Sequence, residues 1–275
     1  MTYPLSNMLS SIKLLKFYSQ SSNEMTPSAT YKPNVRSCIS NTDCLLCKLS
    51  NVHTLKCLGS KFFLKVQYML ECKNLSCARN NKVLFKNLNF KAEPKSKILI
   101  TGPNGSGKTS LIRSLSGLLP PVSGNVRYCG KDIYDDPKSY IPSMVYIGHK
   151  NACKDSLTVS ENIEFWARIR NTKELITAAA YCLELQPVFN IRYGELSAGW
   201  KRRVALARLL ISNANIWLID EPFCNLDSIT CELILNLISI RSEQNGIVII
   251  TGHSSTEQLC DFKTIDIRDF NRPLV

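Results

Sequence analysis

From Met69 onward, short apolar runs alternate with stretches of helical spacing. "KVLFKNLNF" (82–90) alternates apolar and polar positions, the pattern of a half-buried strand, whereas "SKILITG" (96–102) is nearly continuous and reads as a buried one. "SMVYIGH" (143–149), "ANIWLID" (214–220) and "GIVIITGH" (246–253) predict three further core strands. Helical spacing follows the first buried strand, through Leu111, Leu115 and Leu118, and recurs over about 160–183, 199–212 and 227–241. Strand–helix alternation with apolar strands predicts an α/β fold with a mainly parallel sheet covered on both faces. The best apolar runs, Ile216–Ile219 and Ile247–Ile250, are four residues each. That is far below the ~18 that a membrane-spanning helix needs.

Before Met69 this periodicity is absent. Residues 1–68 are rich in Ser, Asn, Lys and Cys, and read as a disordered extension or a mis-assigned start, with translation beginning at Met69. They lack the continuous apolar core and cleavage site of a secretory signal, and Lys outnumbers Arg seven to one, unlike a transit peptide. Cys44, Cys47, His53 and Cys57 follow C-x2-C-x5-H-x3-C, close to a zinc-knuckle spacing but slightly off it and without a flanking strand or helix. The chain as a whole is 44% apolar, too much for a disordered protein. Its net charge is +12, half of it in residues 1–68, where eight basic side chains face two acidic ones. That balance permits nucleic acid or anionic lipid as a partner without selecting either. Twelve scattered cysteines without a secretory signal read as reduced.

The chemistry begins at "GPNGSGKTS" (102–110), which follows a predicted buried strand and opens a helix. It fits G-x4-G-K-[ST], and the strand–loop–helix context supports the match. Gly102, Pro103, Asn104, Gly105, Ser106 and Gly107 form a loop whose amides can ring a β-phosphate, with the positive end of the helix behind them. Lys108 can reach β- and γ-phosphate oxygens, Thr109 can ligate Mg2+, and Ser110 can touch the α-phosphate. "IWLIDE" (216–221) places Asp220 at a strand's carboxyl end as a Mg2+ residue, and Glu221 as a general base for the attacking water.

"LSAGWKRRVALARLL" (196–210) precedes that strand, and here the chain resembles an ABC-type ATPase over about three quarters of its length. The resemblance implies a RecA-like core, an antiparallel β edge and a small helical lobe near 150–195, within an ATPase domain spanning 69–275. It implies ATP and Mg2+ as cofactors, and hydrolysis by a homodimer. Ser197, Ala198 and Gly199 would then close over the γ-phosphate of the other subunit, and Asp227 would be the D-loop aspartate. His253 matches the switch histidine. Three positions depart from the pattern: His149 stands for the Q-loop Gln, Trp200 for the last signature Gln, and Arg79 for the adenine-stacking aromatic. An imidazole at His149 would serve a metal-bound water only when neutral, and a guanidinium at Arg79 can still stack on a purine.

"YIGH", "LSAG" followed by basic residues and "LIDEPF" look like the ATP-binding subunit of the bacterial cytochrome c biogenesis, or heme exporter, complex. This implies separate polytopic membrane subunits, heme-handling partners, no nucleic acid, and a peripheral place on the cytoplasmic face of the bacterial inner membrane. Hydrolysis would drive heme export or release of a heme-chaperone complex. The alternatives are a soluble ABC ATPase acting on nucleic acid or ribosomes, encouraged by the positive charge, and a transporter subunit for another cargo.

Overall fold

The computed structural model describes residues 69–79, 82–224, 226–252 and 259–270. Cys44, Cys47, His53, Cys57 and His253 lie outside these residues.

The strands form two sheets. β1 (Leu70–Arg79), β2 (Lys82–Ala92), β4 (Ser123–Tyr128) and β5 (Lys131–Asp132) make an antiparallel sheet in the order β2-β1-β4-β5. β3 (Lys97–Thr101), β6 (Met144–Ile147), β7 (Ile216–Ile219), β8 (Ile247–Thr251) and β9 (Lys263–Asp266) make a wholly parallel sheet in the order β6-β7-β8-β3-β9. The expected antiparallel edge is thus a sheet of its own. All five residues of β8 and all four of β7 are buried, as a parallel sheet covered on both faces requires. In β1 and β2 buried and exposed positions alternate irregularly, because register shifts at Leu75 and Cys77 bend the pair.

α1 (Lys108–Leu115) leaves the P-loop and buries Leu111, Ile112 and Leu115 completely. One hydrophobic core joins this helix to both sheets, through Leu70, Phe85 and Leu88 on one side and Ile98, Ile100, Leu218 and Ile249 on the other. Completely burying each such apolar side chain contributes roughly 1.5–3 kcal/mol, so the P-loop rests on a fully buried apolar core. Leu118, predicted to continue the helical stripe, is instead exposed. The helix stops first: Gly117 takes a φ of 76°, and the Leu118 amide turns back to the Arg113 carbonyl.

After α2 (Pro137–Ser143) and β6, the segment 150–195 carries α3 (Val159–Arg170), α4 (Ile176–Cys182) and three 3-10 turns. A capping box starts α3: the Thr158 hydroxyl accepts from the Glu161 amide, and the Glu161 carboxylate accepts from the Thr158 amide. The helix expected over 160–183 is divided. Asn171 adopts the left-handed conformation at φ 54°, and the Thr172 hydroxyl donates to the Ile211 carbonyl at 2.6 Å, which turns the chain onto α5 (Ala198–Ile211). α6 (Ser228–Glu243) is the last α-helix among the described residues. The eight described cysteines are all free thiols. Among the described residues no helix is long and apolar enough to cross a membrane.

Candidate nucleotide site

The parallel strands β3, β6, β7 and β8 run in the same direction, so their carboxyl ends collect four loops along one edge, the usual ligand-binding edge of open α/β sheets. The P-loop follows β3, the Gly148–Asn151 loop follows β6, Asp220 and Glu221 follow β7, and Gly252 follows β8.

The P-loop fits only as glycine at two of its positions. A Cβ on Gly102, at φ 147°, would lie 2.6 Å from a methyl of Ile267; one on Gly107, at φ 107°, would lie 3.0 Å from Leu84. Gly107 is also the left-handed cap from which α1 starts. The loop therefore sits directly on β2 and on the Ile267 turn. The Lys108 ammonium is buried and spans the loop, donating to the carbonyls of Gly102 at 2.7 Å and Pro103 at 3.1 Å.

Asp220 is 1% exposed, yet its two oxygens have different surroundings. Oδ1 accepts from the Thr251 hydroxyl at 2.7 Å and from the Thr109 hydroxyl at 3.3 Å. Oδ2 is buried with no hydrogen-bond partner. An unpartnered buried carboxylate oxygen is costly, and it suits a cation or its water shell. With the Thr109 hydroxyl alongside, Thr109 and Asp220 fit Mg2+ as a donor set of hard oxygens.

Glu221 stands in the left-handed region at φ 48°, a conformation that costs a non-glycine residue roughly 1–3 kcal/mol. Its amide donates to the Thr251 hydroxyl at 2.9 Å. A cavity of about 660 Å3 is lined by Asn104 through Ser110, by Glu221, and by Arg79, Lys82, Leu84 and Arg113. The structure thus brings Arg79 and most of the predicted P-loop residues to one cavity with Glu221. Gly102, Pro103 and Asp220 are not among its lining residues: Gly102 and Asp220 are buried, and Pro103 is exposed. His149 is exposed and is not among the lining residues.

Ser197, Ala198, Gly199 and Asp227 are likewise not among them. Ser197 is the N-cap of α5, its hydroxyl accepting from the Trp200 amide at 3.5 Å, and both Ser197 and Ala198 are exposed. A Cβ on Gly199 would meet nothing within 4 Å. Trp200 lies under the Arg203 guanidinium, 5.1 Å from its ring centroid, and Arg203 also donates to the Thr230 hydroxyl. Asp227 caps α6, accepting from the Thr230 amide at 2.7 Å, and that bond holds its carboxyl below the ordinary value.

Two residues of this edge escaped the sequence reading. Thr251 is an apparently ordinary strand residue two positions before His253. Arg202, 7% exposed, donates to the backbone of Gly148, Asp220 and Glu221. The only signal for Arg202 was a basic run in an amphipathic helix, which normally faces solvent.

Fold and site together are those of a P-loop nucleotide hydrolase. The ABC transporter family profile matches residues 85–224. The cytochrome c biogenesis ATP-binding export protein CcmA of Wolbachia pipientis wMel is 89% identical over 207 residues, 75% of this chain and 100% of the relative. The protein of the same name from Escherichia coli is 38% identical over 185 residues, 67% of this chain and 89% of the relative. Among solved structures, a putative ABC transporter ATP-binding protein from Pyrococcus furiosus aligns with a TM-score of 0.64 at 26% identity, covering 74% of this chain and 98% of that one. The chain belongs to the ABC transporter family, among its cytochrome c biogenesis ATP-binding export proteins. It is an ABC-type ATPase that binds ATP. These relatives give no support to a soluble ATPase acting on nucleic acid or ribosomes.

Proposed function

We propose that this chain powers a membrane complex for cytochrome c maturation, coupling ATP hydrolysis to heme export or to release of a heme-chaperone complex. The pairing of Thr109 with Asp220 at the P-loop, with Glu221 lining the cavity there, carries the hydrolysis part of the reading, and the likeness to the CcmA proteins supports its place in cytochrome c maturation.

In this reading the loop amides of 104–107 and the start of α1 bind the phosphates, and Lys108 compensates their charge. Thr109 and Asp220 would hold Mg2+, which when bound neutralises charge developing on the β- and γ-phosphate oxygens. The Thr251 hydroxyl orients Asp220 by its hydrogen bond to Oδ1. Glu221 accepts a proton from, or polarises, the attacking water, and its carboxylate does so from a backbone that is held rather than free. Arg79 offers a guanidinium plane to the base.

Ser197, Ala198 and Gly199 act on the nucleotide of a second copy. What supports this is the exposure of Ser197 and Ala198 and the open space beside Gly199 at a helix N-terminus, none of them lining the cavity of their own chain. Asp227 would communicate across the dimer, His253 would hydrogen-bond the γ-phosphate and the attacking water, and His149 would link the nucleotide site to the membrane partners. Those partners would be separate polytopic subunits and heme-handling proteins, at the cytoplasmic face of the bacterial inner membrane. Residues 69–275 form the ATPase domain in this reading.

Glu221→Gln should lower ATP turnover at least about 100-fold while leaving ATP binding intact and prolonging the dimer, read by steady-state hydrolysis and size-exclusion chromatography. Unchanged turnover removes Glu221 from this role. Affinity capture of the full chain from detergent-solubilised membranes tests the cargo: polytopic subunits with heme-handling proteins are expected, and ribosomes or nucleic acid instead would overturn the reading.

A further inference from the structure

Arg202 is the fifth residue of α5, and its side chain is turned inward. The residue is 7% exposed, and its guanidinium divides its donors between two loops. Nη1 donates to the Gly148 carbonyl at 2.9 Å and to Asn151 Oδ1 at 3.2 Å. Nη2 donates to the Asp220 carbonyl at 2.9 Å and to the Glu221 carbonyl at 3.2 Å. Burying a guanidinium among neutral oxygens is unfavourable unless its donors are used, and here four acceptors meet one planar fork. Burial pulls the group below its ordinary value, with the charge of Asp220 opposing that. The group stays cationic.

The target of Nη2 is the strained part of the site. Glu221 is left-handed, and the peptide groups on both its sides are tied down. Its amide is held by the Thr251 hydroxyl, and the carbonyls of Asp220 and Glu221 by Arg202. A left-handed glutamate persists only where its surroundings over-determine it. Relaxation toward ordinary backbone angles would rotate the Cα–Cβ bond and re-aim the carboxylate that lines the nucleotide cavity.

We propose that Arg202 is a positioning residue for hydrolysis: it fixes the backbone of Glu221 so that the carboxylate faces the nucleotide, and it ties that direction both to the signature helix and to the Gly148–Asn151 loop. The proposal rests on the reading of Glu221 as the group that activates water. Arg202 itself is not among the residues that line the nucleotide cavity. Lysine cannot substitute fully, because one ammonium cannot reach acceptors on two loops in the plane that the fork spans.

The test uses the full chain and separates kcat from KM. Arg202→Met should lower kcat for ATP about 100-fold with KM within about twofold, as expected when a reacting group is misplaced and binding is not. In a Glu221→Gln background the same change should reduce the residual turnover less than about twofold, since the group it positions is already gone. Arg202→Lys, which keeps charge and most of the volume, should fold where Met does not, and should lower kcat about tenfold at unchanged KM. A wild-type kcat in either variant overturns the proposal. So does an equal loss with and without Glu221→Gln, or a KM that rises in step with the fall in kcat. Normal turnover in Glu221→Gln alone would instead remove the reading on which the proposal stands, leaving the hydrogen bonds of Arg202 a purely structural matter.

Discussion

The P-loop and the start of α5 are both helix N-termini that follow a turn, and both can offer amides to a phosphate, yet the molecule treats them differently. The P-loop is enclosed. Lys108 is buried, β2 and Ile267 press on its glycines, and α1 sinks three side chains into the core. Asp220 reaches it from the neighbouring strand through Thr109. The start of α5 is open: Ser197 and Ala198 are exposed, and space surrounds Gly199. A helix terminus whose surroundings come from its own chain can bind a nucleotide alone. One that faces solvent can complete a site only on another molecule. In the proposed function the enclosed terminus serves the chain's own nucleotide, and the open one is free to serve that of a second copy.

The sharpest way to break that comparison is Lys108→Ala. It should reduce ATP turnover about 1,000-fold and weaken nucleotide binding by the isolated chain, measured by hydrolysis and equilibrium titration. Gly199→Asp is the matching change on the open side. The site has room for the side chain, and an acid in a first helical turn favours the helix, so the melting temperature should hold. Turnover should nevertheless fall about 100-fold, because the carboxylate repels the phosphate of the other subunit, while nucleotide binding by the single chain is unchanged. Mixing the two inactive variants should restore activity at about one site in four, since each mixed dimer contains one intact P-loop opposite one intact signature. No restoration on mixing would place both halves of the chemistry in one chain.

A smaller effect sharpens the comparison at the edge of the open region. Asp227 caps α6, and Asp227→Ala should cost about 0.5–1 kcal/mol in denaturant unfolding at pH 7, discounted for the exposure of the carboxylate. The folded-state pKa of Asp227 is lowered by the Thr230 amide, so its contribution is complete above the ordinary carboxylate range. It disappears as pH falls through the folded value. Wild type and Asp227→Ala should therefore begin to converge in stability as pH falls below the ordinary carboxylate value, and meet once it is below the lowered folded value.

Much of this was legible in the residues because the relevant geometry is contiguous. Glycines at fixed offsets, then Lys108 and Thr109, shape a phosphate loop from neighbouring backbone alone, and four apolar residues ahead of Asp220 place it at a strand end. The parallel strands were read for the same reason: each is a short apolar run with its own punctuation. The helix pattern was less reliable where tertiary contacts overrode it. A left-handed Asn171 and the bond from Thr172 to Ile211 divide one predicted helix, and Gly117 ends another before Leu118.

The class of the protein, the order of its motifs and the apolar strands that carry them follow from the chain of residues alone. Each of these depends on residues adjacent along the chain, where covalent geometry sets what is near what. Only the tertiary structure decided that His149 stands exposed beside the edge and not in the lining of the cavity. It alone decided that Thr251 orients Asp220, and that a basic residue of an amphipathic helix turns inward to hold Glu221. Those relations join strands and helices far apart in sequence. They exist because a parallel sheet brings its carboxyl ends to one line, where a buried donor must find whichever acceptors the fold has gathered there.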